Sequence, residues 1–352
     1  MNNAPESVFK FSPVLILSTG RCGSTMVSEI LNTHPAILSL SEFFSTLGNK
    51  GLLFSRPDGE YMWKLYSRQS ETTNACLRDG VVVDEILYPF AAPGSRFSPG
   101  SVPPILAVTL PHLTPDFETL YYQLEPAIRD RPAMLLAEHY RFLFEHLGRR
   151  FGKTVWVERS GGSLMTAAVL LRLFPEARVI HVCRDGRDTA ISMSVHHPFR
   201  VLVAMLKKLR RWGLRPTRQF LSPERNRLSV WLESFVFSRL NVMSFLRKHP
   251  PRLEDFGAFW SELELIGHDV LQRLPPKRLL KVKFEDIQND PRGKISELLR
   301  FIDPSLEYPA WLEAASKTPR AARSKFKSLP PEQQESLTSA CGPGLDLLGY
   351  PR

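Results

Sequence analysis

Cysteine is scarce in this chain and nowhere spaced for pairing. Four residues, Cys22, Cys76, Cys183 and Cys341, are scattered over 352 positions, which argues against a disulfide framework. C-x-x-C and H-E-x-x-H are both absent, and His196 and His197 are adjacent rather than spaced as ligands, so no metal is expected. Long apolar runs are missing too. No segment reaches the roughly 20 apolar residues of a membrane-spanning helix, and the opening MNNAPESVFKFSPVLIL has neither a basic n-region nor a long apolar stretch. A cytoplasmic protein without a transmembrane segment is the expectation. Internal repeats and low-complexity tracts are also lacking. What remains is 43% hydrophobic and 23% charged, a balance that lets a chain of this length bury one large core or two small ones.

The first informative stretch is LSTGRCGSTMVSEIL, residues 17 to 31. The apolar run Pro13 to Leu17 suits a fully covered parallel strand, and Met26, Ile30 and Leu31 recur at helical spacing after it. Between them Gly20 and Gly23 allow positive φ and close backbone approach, and the helix beginning near Ser24 aims its free N–H groups back into the turn. With Arg21, Ser24 and Thr25 added, the turn suits a phosphate. An ordinary capped helix is the bland alternative, since Ser24 or Thr25 would serve as N-cap anyway.

Two familiar anion loops fit poorly. A Walker loop needs a lysine directly after its last glycine, and Ser24 stands there; VVVDEI, Val81 to Ile86, could pass for a Walker B strand with Asp84 as magnesium ligand, but without the lysine it weighs little. A cysteine phosphatase loop built on Cys22 needs an arginine six positions on, where Ser28 stands. A second strand-turn-helix follows in ARVIHVCRDGRDTAISMSVHHPF, Ala177 to Phe199. There Arg184, Arg187 and Ser192 could reach one anion, Ser192 from about two turns into the helix. Solvated pairs of Arg184 with Asp185 and of Arg187 with Asp188 are the competing reading.

These residues resemble the sulfotransferases that use 3′-phosphoadenosine 5′-phosphosulfate (PAPS). Gly20-Arg21-Cys22-Gly23-Ser24-Thr25 is similar to their Pro-Lys/Arg-Ser-Gly-Thr-Thr loop, with glycine for proline and cysteine for serine; Arg184 and Ser192 keep the eight-residue separation of their 3′-phosphate pair. FPEARVIHVCRDGRD, Phe174 to Asp188, and LLKVKFEDIQNDPRGKISELLRFI, Leu279 to Ile302, resemble the strand entry of that site and the family's late strand and helix. The nearest likeness is to the bacterial and tyrosylprotein type. Glu42 falls 21 positions after Arg21, where that type carries a catalytic glutamate; Arg159 falls 25 before Arg184, where it has Lys-x-Pro, here with arginine for lysine and Gly161 for proline. A surface acid opening a helix and an Arg159–Glu158 pair are the bland readings of these two.

The resemblance implies a P-loop-type α/β fold and sulfuryl transfer from PAPS to an acceptor hydroxyl without a metal. Arg21 would stabilise charge on the departing 5′-phosphate, held also by Ser24, Thr25 and the loop N–H groups. Glu42 would take the acceptor proton, with Arg159 beside it. His196 is the alternative base, and a late basic loop, through Arg323 or Lys325, would reach the 3′-phosphate. The implied cofactor site therefore comprises Gly20, Arg21, Cys22, Gly23, Ser24, Thr25, Arg184, Ser192, Arg323 and Lys325. A P-loop kinase, or a nucleotide binder that transfers nothing, is the alternative function.

For organisation, the sequence suggests one α/β domain over residues 8–352 with a central parallel sheet. Candidate strands are Val14 to Leu17, Ile37 to Leu40, Val155 to Glu158, Val179 to Val182 and Leu280 to Lys283, with helices between them. Residues 44–120 read as irregular, 195–275 as a mostly helical insertion, and both would shape the acceptor pocket. The tail reads as a basic loop and a helix ending near Gly342. The net charge of +10 concentrates between Arg200 and Arg227, nine basic residues against Glu224. That segment reads as an amphipathic helix and turn: first as a lid with solvated charges, second as a docking surface for an acidic or amphiphilic acceptor at a membrane. Nucleic-acid binding finds no recognition motif. The acceptor and the oligomeric state stay open.

Overall fold

A computed structural model of the chain describes residues 13–53, 55–69, 85–211, 213, 239, 241–319 and 324–352. Five strands form one sheet: β1 (Val14–Leu17), β2 (Ile37–Ser41), β3 (Val155–Arg159), β4 (Arg178–Cys183) and β5 (Leu279–Lys283). They lie in the order β2-β3-β1-β4-β5, and every pairing is parallel. The expected strands are all present, three of them one residue longer at an end and β4 longer at both. Every residue of β1, β2 and β3 is buried, as in a sheet covered on both faces, although only β1 is apolar throughout: β2 carries Ser39 and Ser41, and β3 ends in Glu158 and Arg159. β2 and β5 are the edges, and along β5 Lys281 and Lys283 alternate.

Side chains of the strands divide between two cores. Leu15, Leu17, Leu38 and Leu40 join a cluster on one face; Val14, Ile16, Ile37, Val155 and Val157 join another on the opposite face. A third cluster, including Phe199, Phe256, Phe259, Trp260 and Leu337, holds the later helices together. The helices that bear on the site are α1 (Ser24–Asn32), α2 (Phe43–Leu47), α3 (Ala167–Leu173), α4 (Gly186–Val195), α5 (His197–Arg211), α6 (Leu253–Leu271), α7 (Pro291–Ile302) and α8 (Pro331–Leu348).

Strand order explains where a ligand can sit. From β1 the chain leaves through α1 toward β2 on one side, whereas β4, paired to the other side of β1, leads on to β5. The turns after β1 and β4 therefore open side by side at the carboxyl edge, where such sheets bind ligands.

Two expectations need correction. Residues 44–120 are not simply irregular: Phe43–Leu47, Gly59–Ser67, Pro104–Ala107, Thr109–Leu113 and Phe117–Arg129 are helices, short ones whose Pro and Gly punctuation marks their ends rather than a continuous loop. The last helix does not stop near Gly342 but runs to Leu348, capped by Gly349 at φ 66°. Gly344 serves packing instead, since a Cβ there would stand 2.6 Å from Trp260. Residue 8, Cys76, Asp84, Trp212 and the 214–227 part of the basic segment lie outside the described residues. Among the described residues no helix is long and apolar enough to cross a membrane.

Candidate active site

Left-handed backbone shapes the turn after β1. Gly20 has φ 80°, Arg21 57° and Gly23 87°, and a Cβ at Gly20 would lie 2.6 Å from the Phe199 ring and one at Gly23 2.1 Å from Phe284. Glycine alone lets the turn fit beneath both rings. Gly23 is the N-cap of α1 and brings no side-chain hydrogen bond; Ser24 and Thr25 are thus not caps, as the bland reading had it, but first-turn residues, and the Ser24 hydroxyl accepts from Ser18 Oγ at 3.3 Å. The Cys22 side chain turns away into the core, with Sγ 3.3 Å from the Val182 carbonyl oxygen, and burial pushes its thiol up. Only its backbone can serve the turn.

The two turns meet through Arg21. Its Nε donates to Ser192 Oγ of α4 at 3.2 Å, and its Nη1 pairs with Glu85 Oε1 at 2.8 Å. The other oxygen of Glu85 lies 2.8 Å from His196 Nε2. Burial alone would raise the Glu85 carboxyl, but the His196 hydrogen bond and the His196 and Arg21 charges outweigh it and hold the group below its ordinary range. Arg184, at the end of β4, lays its guanidinium over Phe284, 4.8 Å from the ring centre. Arg187 instead turns to Asp185, bonding it at 3.0 and 2.7 Å.

Across the sheet edge, β2 and β3 bring Glu42 and Arg159 together. Glu42 has φ 56°, and it and Arg21 are the only non-glycine residues with positive φ among the described residues; such strain is costly for an L-residue and concentrates at functional sites. The Arg159 guanidinium forms an ion pair with Glu42, their side chains only 2% and 8% exposed. Gly161 N–H donates to Glu42 Oε2 at 2.9 Å, and the Ser45 hydroxyl also donates to that oxygen. The glycine that replaces proline thus supplies an N–H that proline lacks. Burial lowers Arg159 to about 10, so it stays charged at neutral pH. Its neighbour Glu158 faces the other way, accepting from Ser160 Oγ at 2.5 Å, and burial pushes its carboxyl up to about 8.

Both groups line one cavity of about 770 Å³, together with Gly20, Gly23, Ser24, Thr25, Arg184 and His196. The family model for the sulfotransferase domain matches residues 165–340. The chain belongs to the sulfotransferase family. Among solved structures it is similar to the sulfotransferase domain from the curacin biosynthetic pathway, with 13% identity, 97% of this chain and 99% of that one covered, and a TM-score of 0.47. It is also similar to sulfotransferase STF9 from Mycobacterium avium, at 15% identity, 99% and 79% coverage and a TM-score of 0.42. A third likeness is to retinol dehydratase solved with androsterone and inactive cofactor PAP, at 12% identity, 97% and 82% coverage and a TM-score of 0.35. No curated protein sequence matches.

Other expected site residues of this sulfotransferase fall differently. Arg323 lies outside the described residues. Lys325 is exposed and absent from the cavity wall; its backbone N–H donates to Asp188 Oδ1 at 2.7 Å, which ties the late basic loop to α4. Along α5, Lys207 pairs with Asp255 at 2.6 Å and Arg210 with Glu262, both on α6. Glu85 and Phe284 escaped sequence reasoning, although Glu85 directly follows Asp84 in VVVDEI. Among the described residues no group of three or more His, Cys, Asp and Glu side chains is placed to hold a metal ion.

Proposed function

We propose that this sulfotransferase moves a sulfuryl group from PAPS to an acceptor hydroxyl, with Glu42 as proton acceptor. The observation that carries the reading is the Arg21 Nε to Ser192 Oγ contact: it joins the turn after β1 to the helix after β4, beside the Glu42–Arg159 pair and in one cavity. The residues fit such a donor. A glycine cradle that no Cβ could share, the uncapped start of α1, the hydroxyls of Ser24 and Thr25 and two arginines are a donor set for two phosphates.

When bound, PAPS supplies an activated sulfuryl group: the S–O bond to the bridging phosphate oxygen breaks, its electron pair leaves with the bisphosphate product PAP, and an S–O bond forms to the acceptor oxygen. Arg21, with the first-turn N–H groups of α1, stabilises charge growing on the departing phosphate. Arg184 and Ser192 hold the 3′-phosphate. Glu42 accepts the acceptor proton, while Arg159, Ser45 and the Gly161 N–H keep its carboxylate aimed. Cys22, Cys183 and Cys341 are buried free thiols, which suits the reducing cytoplasm.

The kinase alternative makes a different prediction. Calorimetric titration with PAP, and in parallel with ATP plus magnesium, AMP and adenosine, separates the two. Tight binding that requires the 3′-phosphate supports the PAPS reading; a preference for ATP with magnesium overturns it.

A further inference from the structure

We propose that the acceptor is an uncharged alcohol with a long apolar body, seated along α5; this rests on the donor reading above. The cavity is chemically divided. Its charged side chains, Arg21, Glu42, Glu85, Arg159 and Arg184, gather at the ends of β1 to β4 and in the Glu85 turn, and four of the five are tied up in the Arg21–Glu85 and Glu42–Arg159 pairs. Ser45, Thr46, Asn49, Ser160 and Thr166 line the cavity nearer the Glu42 end, and the stretch along α5 is apolar. Leu202, Met205 and Leu209 recur at helical spacing on α5, each only partly buried, and all three line the cavity. Leu52, Ile86 and Val108 contribute to the same wall from the other half of the chain.

The charges of α5 are directed elsewhere. Lys207 and Arg210 are engaged by Asp255 and Glu262, and Lys208 lies 5.7 Å from the Phe245 ring centre. The basic face thus braces α5 against α6, and its apolar stripe faces the cavity. Among the described residues, none of the α5 cations lines the cavity to meet an anionic acceptor. Along α5 a sugar would fare no better, because its hydroxyls would lie against Leu202, Met205 and Leu209 without partners there. A single hydroxyl at the Glu42 end and an apolar chain along α5 satisfy both halves. From Val201 to Leu209 the helix offers a wall about 12 Å long. The products are the alkyl sulfate, PAP and the proton taken by Glu42.

The test is a series of straight-chain primary alcohols from butanol to decanol, with PAPS as donor and PAP release as readout. kcat/KM is expected to rise about fourfold per methylene until the wall is filled. A hydroxyacid of the same length, with its carboxylate at the far end, is expected to fall at least ~tenfold. Met205→Asp and, as a milder change, Leu209→Ser should flatten the chain-length dependence and leave the calorimetric Kd for PAP unchanged. A flat series, or a preference for the hydroxyacid or glucose, in protein that binds PAP tightly overturns the acceptor assignment and leaves the donor reading intact. If PAP fails to bind, the donor reading falls, and calorimetric affinity for the alcohols alone decides: a steady rise with length supports the apolar seat, a flat series overturns it.

Discussion

Glu42 and Arg159 are held to each other twice: the Glu42 N–H donates to the Arg159 carbonyl oxygen at 2.7 Å, and the Arg159 guanidinium meets the Glu42 carboxylate. The backbone bond continues the β2–β3 pairing one residue past the Ser41–Arg159 register, and there Glu42 breaks into the left-handed region. Parallel pairing thus carries the two side chains to the cavity rim, and the kink at Glu42 turns them toward each other.

Such a pair makes opposite demands on stability and activity. Glu42→Gln is expected to keep PAP affinity while kcat falls by about 10²–10⁴. It should also cost about 3–5 kcal/mol, because Arg159 is left buried without its counter-charge. Adding Arg159→Met to Glu42→Gln should restore most of that stability and none of the turnover, a separation that denaturant unfolding and PAP release read together. Normal turnover in Glu42→Gln would move the base elsewhere, with His196 the next candidate.

Arg21→Ala tests the other half of the site. It removes the contacts to Ser192 and Glu85 but leaves the left-handed backbone with another L-residue, so the strain is the same before and after. Transfer should drop by about 10²–10³, while the melting temperature stays within a few degrees because the side chain is partly exposed. Unchanged turnover would remove Arg21 from the chemistry.

What the sequence disclosed, and what it withheld, follows from range. β1 to β5 were legible because each carries at least three apolar residues within a short run, unbroken in β1 and interrupted by serine in β2 and by lysine in β5, and the Gly20–Gly23 turn and the Arg184–Ser192 separation are local patterns. Contacts between distant segments are not local. Nothing in VVVDEI shows that Glu85 reaches Arg21, 64 positions earlier. Likewise the value of Gly161 lies in an N–H that bonds Glu42, 119 positions away. Punctuation misled in the tail, where Gly342-Pro343-Gly344 suggested a stop. Those residues remain helical because α8 packs against α6, and a larger residue than Gly344 would strike Trp260.

Gly23→Ala should be far more damaging than one methyl group suggests. The new Cβ would stand 2.1 Å from the Phe284 ring in a backbone with φ 87°, so overpacking costs about 1–3 kcal/mol and the left-handed conformation about 1–2 more. Adding Phe284→Ala should relieve only the first of these. PAP affinity is expected to stay low in the double variant, because removing the ring frees space but does not restore the turn; full recovery of binding would show that the turn's conformation is not what holds the phosphate.

Glu158 gives the fold a dependence on pH that the neighbouring site need not share. Its folded-state value near 8 stands above the ordinary 4.5 because the side chain is wholly buried. Between these values the native state holds a proton that the unfolded chain has released. Its stabilising contribution is therefore complete below about pH 4.5 and is lost at about 1.4 kcal/mol per pH unit as pH rises toward 8. Buried histidines slope the other way: His112, depressed to about 4 by burial, favours folding as pH rises from about 4 to its ordinary 6.5. The raw profile mixes both, so the measurement that isolates Glu158 is the difference between the wild-type protein and Glu158→Gln, whose amide copies the neutral carboxyl. Urea unfolding at pH 5, 6.5 and 8 should find the variant's advantage growing with pH. Parallel profiles for the two proteins would mean that Glu158 is ionised in the folded state, and that its charge is compensated by more than the Ser160 hydroxyl and the Phe44 N–H.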